Sequence, residues 1–308
     1  MKRSKVQKIV LTSFLLLTGT IYFLHTPDIP LKKLKSKYTY NNSKFIDVMD
    51  MNVHYRINGQ GPTLLLVHGT AASLHTWEDW TSQLEKDFRV ISLDIPAYGL
   101  TGPHPNKSYK VDDYVEFLSA FTKKLRLDSF SLAGNSLGGL IAWNYAARHP
   151  DQIQKLILID PSGFSQKKPT SLAFRLAKNK FSSKILRYIT PKSLFQKSLK
   201  EVYFDESKLK PAVLNRYYEL GLRTGNRQAF IDRVNTKQNI DLSRLQRIQA
   251  PTLIMWGKQD AWIPVEHAAQ FQSAIQNAKV LIYDQAGHIP MEEIPELTVK
   301  DVISFLKN

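Results

Sequence analysis

The chain has 308 residues, 43% of them hydrophobic and 11% aromatic, which is enough to fill a sizeable core and excludes a disordered chain. It has no cysteine, so disulfides, thiolate catalysis and Cys-ligated metal sites are excluded as well. The formal charge of +15 is segregated: residues 1–44 carry nine Lys/Arg and one Asp, residues 165–250 carry nineteen Lys/Arg against six Asp/Glu, and the remainder is acidic.

Such segregation directs the two basic regions, not the body, at an anionic surface. No nucleic-acid-binding module is recognisable, so a membrane fits better than nucleic acid. In "MKRSKVQKIVLTSFLLLTGTIYFLHTPDIP" four basic residues precede an uncharged stretch from Ile9 to Leu24. Its sixteen residues exceed a signal-peptide core of roughly 7–15 and fall short of the roughly 20 that span a bilayer. Bulky residues follow where a signal peptidase requires small ones. Residues 1–30 therefore read as an uncleaved signal anchor, with a cleaved secretion signal as the alternative. The body is expected on the extracytoplasmic side, although Lys32, Lys33, Lys35 and Lys37 nearly balance Lys2, Arg3, Lys5 and Lys8 across the segment. Residues 31–44 read as a polar linker.

Downstream, "FIDVMDMNVHYRING" alternates like a hairpin of half-buried strands, and "GPTLLLVHG" reads as a buried strand. "FRVISLDIPAYG", "SFSLAG", "KLILIDPSG", "PTLIMWG" and "AKVLIYDQAGH" repeat one theme, a run of Val, Ile and Leu ending in Gly, Asp or Pro. Helical patterns such as "VDDYVEFLSAFTKKLRL" and "VEHAAQFQSAIQNA" separate most of them. Strands apolar on both faces that alternate with helices predict an α/β fold, a mostly parallel sheet flanked by helices, over residues 45–308. Between "LILIDPSG" and "PTLIMWG" the alternation stops, and the interval is rich in Lys/Arg, Phe, Tyr and Leu at helical spacing. Residues 162–248 are expected to form a helical cap insertion.

Reactive groups of a parallel sheet gather at the carboxyl ends of its strands. Gly134-Asn135-Ser136-Leu137-Gly138 falls where "SFSLAG" ends and a helix begins, the context of a strained nucleophile turn. A nucleophilic serine needs a base, and the base needs an orienting acid. Of eight histidines, His288 stands immediately after the last strand-like run and is the best-placed base. Asp260, after the preceding run, is the expected acid, and Asp160, after "LILI", is its competitor. "HGTAAS" at residues 68–73 follows a buried strand, where backbone amides can face developing negative charge. The amides of Thr70 and Leu137 are the expected oxyanion donors, and His68 is expected to orient that loop. His54, His75, His104, His149 and His267 have no comparable context and read as packed or solvent-facing.

With "LLLVHGT", "LDIPAYGLTG", "GNSLGG", "WGKQDAWIP" and "AGHIPMEEIPE" in that order, the chain resembles the α/β-hydrolases over residues 45–308. It is most like membrane-anchored bacterial serine esterases and lipases, and also similar to meta-cleavage-product hydrolases. The resemblance implies a hydrolase that uses no metal or organic cofactor, with residues 162–248 capping the pocket. Tyr98 departs from the Pro-Gly or Arg-Gly of many relatives and is expected at the pocket rim. Ser136, where haloalkane dehalogenases and epoxide hydrolases carry aspartate, disfavours those reactions. Two enzyme readings follow. One is a carboxylic-ester hydrolase acting on a small-molecule or lipid-like ester. The other is a carbon–carbon hydrolase of the meta-cleavage type, which "GNS" and a cap arginine such as Arg223 or Arg227 resemble. Those enzymes usually carry tryptophan directly after the catalytic histidine, and here Ile289 stands there. An anchor with a cationic, aromatic-rich cap favours lipid-like esters at a membrane. A noncatalytic hydrolase-fold binding protein is the remaining alternative; such proteins commonly lose a triad member, and all three residue types are present here.

Overall fold

The computed structural model describes Gln7 and residues 24–165 and 171–308. Of the expected signal anchor, the apolar stretch up to residue 23 lies outside this set, and among the described residues no helix is long and apolar enough to cross a membrane. Residues 31–44 are not a linker. They form helix α1 (Leu31–Tyr38) and lead into strand β1 (Ser43–Val48). In "LKKLKSKY" Leu31, Leu34 and Tyr38 recur at helical spacing, and Leu34 is buried against Leu100 and Leu220 while the lysines face outward.

Strand β1 pairs antiparallel with β2 (Met51–Asn58) through a two-residue turn in which Met49 and Asp50 both take positive φ, 50° and 60°, so the strands twist correctly without a glycine. Then come β3 (Thr63–Val67), α2 (Glu78–Leu84), β4 (Arg89–Leu93), α3 (Val111–Lys124), β5 (Phe130–Asn135), α4 (Leu137–Arg148) and β6 (Ile153–Ile159). Five helices follow: α5 (Leu172–Lys178), α6 (Ser182–Leu186), α7 (Lys192–Val202), α8 (Pro211–Gly221) and α9 (Asn226–Asn235). The chain returns to the sheet with β7 (Thr252–Gly257), α10 (Glu266–Ala274), β8 (Ala278–Tyr283), α11 (Pro290–Glu293) and α12 (Pro295–Lys307).

The eight strands lie in the order β1-β2-β4-β3-β5-β6-β7-β8, with β3 to β8 mutually parallel. Alternation along each strand divides the core by face. Leu65, Val67, Ile91, Leu93, Leu132, Leu156 and Leu158 pack with α3, α4 and α10. Leu64, Leu66, Val90, Ile157, Ile159 and Met255 pack on the other face with Trp77, Trp80, Val299 and Val302 from α2, its preceding turn and α12. The chain runs from β3 outward to β4 and then back past β3 to β5, so the loops after β3 and β5 are neighbours at the carboxyl edge, where α/β sheets place ligands.

A buried hub closes the β2/β4 side of that edge. Asp94 Oδ1 accepts the Leu74 amide at 2.7 Å, and Oδ2 accepts the Leu100 amide at 2.7 Å and His54 Nδ1–H at 2.8 Å. Gly99, at φ +55°, brings its backbone so close that a Cβ would lie 2.2 Å from Asp94 Cγ. Burial alone would raise the Asp94 pKa, but the attraction and hydrogen bond of His54 outweigh it and hold the carboxyl at about 2. Its contribution to stability is thus present above about pH 4 and lost as pH falls from 4 through 2. Asp94→Asn is expected to lower the urea-unfolding free energy by about 2 kcal/mol at pH 7. The gap from wild type, followed by tryptophan fluorescence, closes toward pH 2.

Candidate active site

Ser136 is the single residue between β5 and α4, with φ +55° and ψ −113°. A β-carbon-bearing residue held there is strained by about 1–3 kcal/mol, and its neighbours explain how the turn is enforced. A Cβ on Gly134 would lie 2.2 Å from Gly138 O, and one on Gly138 would lie 2.1 Å from Val67 O. Glycine therefore lets strand and helix meet over one residue. The turn is clamped to the β6 end: Ser136 N donates to Ile159 O at 3.0 Å, and Ser162 N donates to Ser136 O at 3.1 Å.

His288 lies in the loop between β8 and α11. Its Nδ1–H donates to Asp260 Oδ2 at 2.7 Å, while Asp260 Oδ1 accepts the amides of Trp262 at 2.7 Å and Ile263 at 2.9 Å. The ring is thereby fixed from one side, and Nε2 is buried without a hydrogen-bond partner. Trp262 packs beside the imidazole, with ring centroids 5.4 Å apart. Ser136 and His288 line the same cavity. A general base needs this arrangement, one nitrogen anchored and the other available.

Asp160 is fully buried beside the pair and accepts the Gly257 amide on Oδ1 at 3.0 Å. Burial first, then the nearby Asp260 charge, push the Asp160 pKa far up, which favours its protonated form. Asp160, Asp260 and His288 each bring one potential metal-ligand atom within 4.8 Å of the others. His288 is tied to Asp260, and Asp260 and Asp160 each accept backbone amides.

The loop after β3 is held by His68. Its Nδ1–H donates to Gly69 O at 2.8 Å and Nε2 accepts the Ile95 amide at 3.1 Å, a neutral pattern matched by burial lowering its pKa. Thr70 lines the cavity. The Leu137 side chain packs into the core instead, and its amide sits at the first position of α4, where helix amides lack partners within the helix.

Several roles escape sequence reasoning. Asn135 Nδ2 donates to Ile159 O at 3.1 Å and to His288 O at 3.0 Å, so it braces the serine turn against the histidine loop. That loop is also bound to the helical insertion: His288 N donates to Val202 O at 2.8 Å, and the Glu293 carboxylate joins the amides of Gly287 and Asp205 at 2.7 and 2.6 Å. His54, read as a merely packed or exposed histidine, forms a second Ser-His-Asp chain, with Nε2 at 2.8 Å from Ser43 Oγ and Nδ1 on Asp94. Neither residue of that pair lines the cavity, and both nitrogens of its imidazole are occupied. Short-range sequence spacing carries no signal for these contacts.

The cavity encloses about 1110 Å³ of empty space, counting its mouth. Its wall combines Tyr98 and the β3 loop with Phe174, Leu194, Phe195 and Phe230 from the insertion. Arg227 contributes to the wall. Arg223 does not, because its guanidinium packs over Gly102 and donates to Thr101 O at 3.1 Å and Thr224 O at 3.0 Å.

Two outcomes are expected. Asn135→Ala, which leaves two buried carbonyls short of a donor, is expected to lower stability by about 1–3 kcal/mol in urea melts. For Asp160, a folded pKa above the unfolded value means that stability falls as pH rises from about 4. Asp160→Asn, which keeps a neutral donor and acceptor, should therefore show a rising stability advantage over wild type from pH 5 to pH 8, read from urea midpoints.

A family model described as the alpha/beta hydrolase fold matches residues 62–295. The chain is 30% identical to a membrane phospholipase A whose crystal structure is described as that of a bacterial virulence factor, over 100% of this chain and 98% of that one, with a TM-score of 0.76. It is 27% identical to the monoacylglycerol lipase ABHD6 of Homo sapiens over 80% of this chain and 76% of that one. The 2-hydroxy-6-oxo-6-(2'-aminophenyl)hexa-2,4-dienoic acid hydrolase of Metapseudomonas resinovorans is 25% identical over 89% of this chain and 93% of that one. With its sheet order, its serine turn and this match over most of its length, the chain belongs to the α/β-hydrolase family.

Proposed function

We propose that the protein is a serine hydrolase that cleaves carboxylic esters through an acyl-enzyme. Ser136 is the nucleophile, His288 the general base and then acid, and Asp260 the group that orients the imidazole. One observation carries this reading: strained Ser136 and the unpartnered Nε2 of Asp260-anchored His288 belong to residues lining one cavity. Ser136 Oγ attacks the ester carbonyl carbon and passes its proton to Nε2. The tetrahedral intermediate then collapses, and the leaving alcohol takes that proton. A water deprotonated by Nε2 next attacks the acyl-enzyme, releasing the acid and restoring Ser136. The amides of Thr70 and Leu137 stabilise the oxyanion in both steps.

The substrate is a lipid-like ester. Apolar cavity walls support this, as do the relatives named as a monoacylglycerol lipase and a membrane phospholipase A. Residues 1–30 anchor the protein with its body on the extracytoplasmic side, and residues 162–248 serve as the cap. Exposed Phe181, Ile185 and Tyr188 alternate with exposed Lys180, Lys184 and Arg187 on the cap, and Thr26 N donates to Tyr188 O at 2.7 Å, which brings the end of the apolar segment to this face. Apolar side chains among cations suit an anionic bilayer surface. Of the features that favoured carbon–carbon hydrolysis, the Asn135 amide and the Arg223 guanidinium hold backbone carbonyls, whereas Arg227, the other arginine named for that reading, lines the cavity and pairs with Asp28.

With the full chain in detergent micelles, p-nitrophenyl esters of graded acyl length are expected to be hydrolysed, with medium or long chains preferred. Ser136→Ala and His288→Ala should each lower kcat by at least about 1000-fold with an unchanged near-UV spectrum. A folded wild type inactive on every ester overturns the reading, and turnover of a meta-cleavage product in its place would establish the carbon–carbon alternative.

A further inference from the structure

We propose that Glu292 is a positioning residue that fixes the cavity wall built by α7 and α8, and so sets how tightly an apolar chain is held there. That this chain belongs to an ester rests on the ester-hydrolase reading. The hydrogen-bond clamp itself rests on geometry.

Glu292 lies in α11, one turn beyond His288, and its carboxylate takes hydroxyl donors from separate segments of the chain. Oε1 accepts Thr76 Oγ1–H from the turn Leu74–Trp77 and Tyr217 O–H from α8 at 2.5 Å, and Oε2 accepts the O–H of Tyr203, the residue after α7, at 3.0 Å. All of these donors are buried. A hydroxyl donating to a carboxylate makes a charge-assisted bond, roughly twice as strong as a neutral one. Burial first, then the Glu292 charge, push both phenol pKa values up, so the tyrosines stay protonated donors. The same two helices face the cavity with Phe195, Leu199, Tyr217 and Leu220. A Cβ on Gly221 would lie 2.3 Å from the Phe195 ring, so α7 and α8 pack in direct contact. Glu292 therefore holds this apolar wall against the turn after the β3 loop and against the loop of His288. His288 has supports of its own, in Asp260, in Asn135 and in the Glu293 bond to Gly287, so losing the Glu292 bonds falls on the wall and not on the imidazole.

The full chain in detergent micelles is compared on p-nitrophenyl butyrate and p-nitrophenyl decanoate. For Glu292→Ala, the ratio of KM on the decanoate to KM on the butyrate is expected to rise about tenfold, with the corresponding kcat ratio unchanged. Tyr217→Phe, which keeps the ring and removes one donor, should raise the same KM ratio about threefold. Glu292→Gln, which keeps the shape and an acceptor oxygen, should lie nearer to wild type than Glu292→Ala. A carboxylate that serves stability alone would instead lower activity equally on both esters as the folded fraction falls. Equal loss on the two esters, or an unaltered KM ratio in folded Glu292→Ala, overturns the proposal; should that variant not fold, an unaltered ratio in Tyr217→Phe does so. A folded wild type that hydrolyses neither ester refutes the ester reading, and the clamp is then read from binding of the fluorescent fatty acid cis-parinaric acid. An affinity lowered about tenfold in Glu292→Ala supports the clamp without the ester reading, and an unchanged affinity overturns it.

Discussion

The architecture turns on the approach of β5 to α4 across one residue. Strand and helix can meet that closely only if no side chain stands between them, so Gly134 and Gly138 are bare and Ser136 absorbs the bend at φ +55°. The serine is thereby lifted out of both elements and held at the carboxyl edge of the sheet. Because β3 lies beside β5, the same approach sets the β3 loop against the turn, and a Cβ on Gly69 would lie 2.9 Å from Asn135 Oδ1.

From that turn, hydrogen bonds lead to the end of β6 and to the histidine loop. Asn135 reaches the histidine loop, the histidine loop reaches the end of α7, and Glu293 ties both to the segment after α7. The helices between β6 and β7 are therefore hydrogen-bonded to the loop that carries His288. The contrast between the Ser43-His54-Asp94 chain and the residues around Ser136 shows what hydrogen bonds alone leave out. Ser43, His54 and Asp94 are connected at 2.8 Å throughout, yet they support a loop junction. Ser136 and His288 differ in having a strained turn, an unengaged Nε2 and a cavity to open onto.

The parallel sheet was legible because its strands are buried on both faces, which writes short runs of Val, Ile and Leu closed by Gly, Asp or Pro directly into the chain. The carboxyl-edge rule then pointed to Ser136, Asp260 and His288, which the structure brings together. Residues 31–44 misled because a lysine-rich stretch looks like a solvated linker, whereas one buried leucine per turn suffices to dock a short helix. Asn135 and Arg223 looked like reaction groups by resemblance, and both hold carbonyls of chain segments far away in sequence.

By itself the sequence determined the α/β class, the glycine pattern of the turn and the order of the reactive residue types, since each depends on local periodicity or on a backbone conformation that only certain residues allow. The tertiary structure alone decided which neighbours those residues have. It paired His54 with Asp94, buried Asp160 close to Asp260, which raises its pKa, removed Arg223 from the cavity and left Arg227 in its wall. The reason is physical: hydrogen-bond partners and desolvation depend on segments that meet only after folding, across separations that no spacing rule spans.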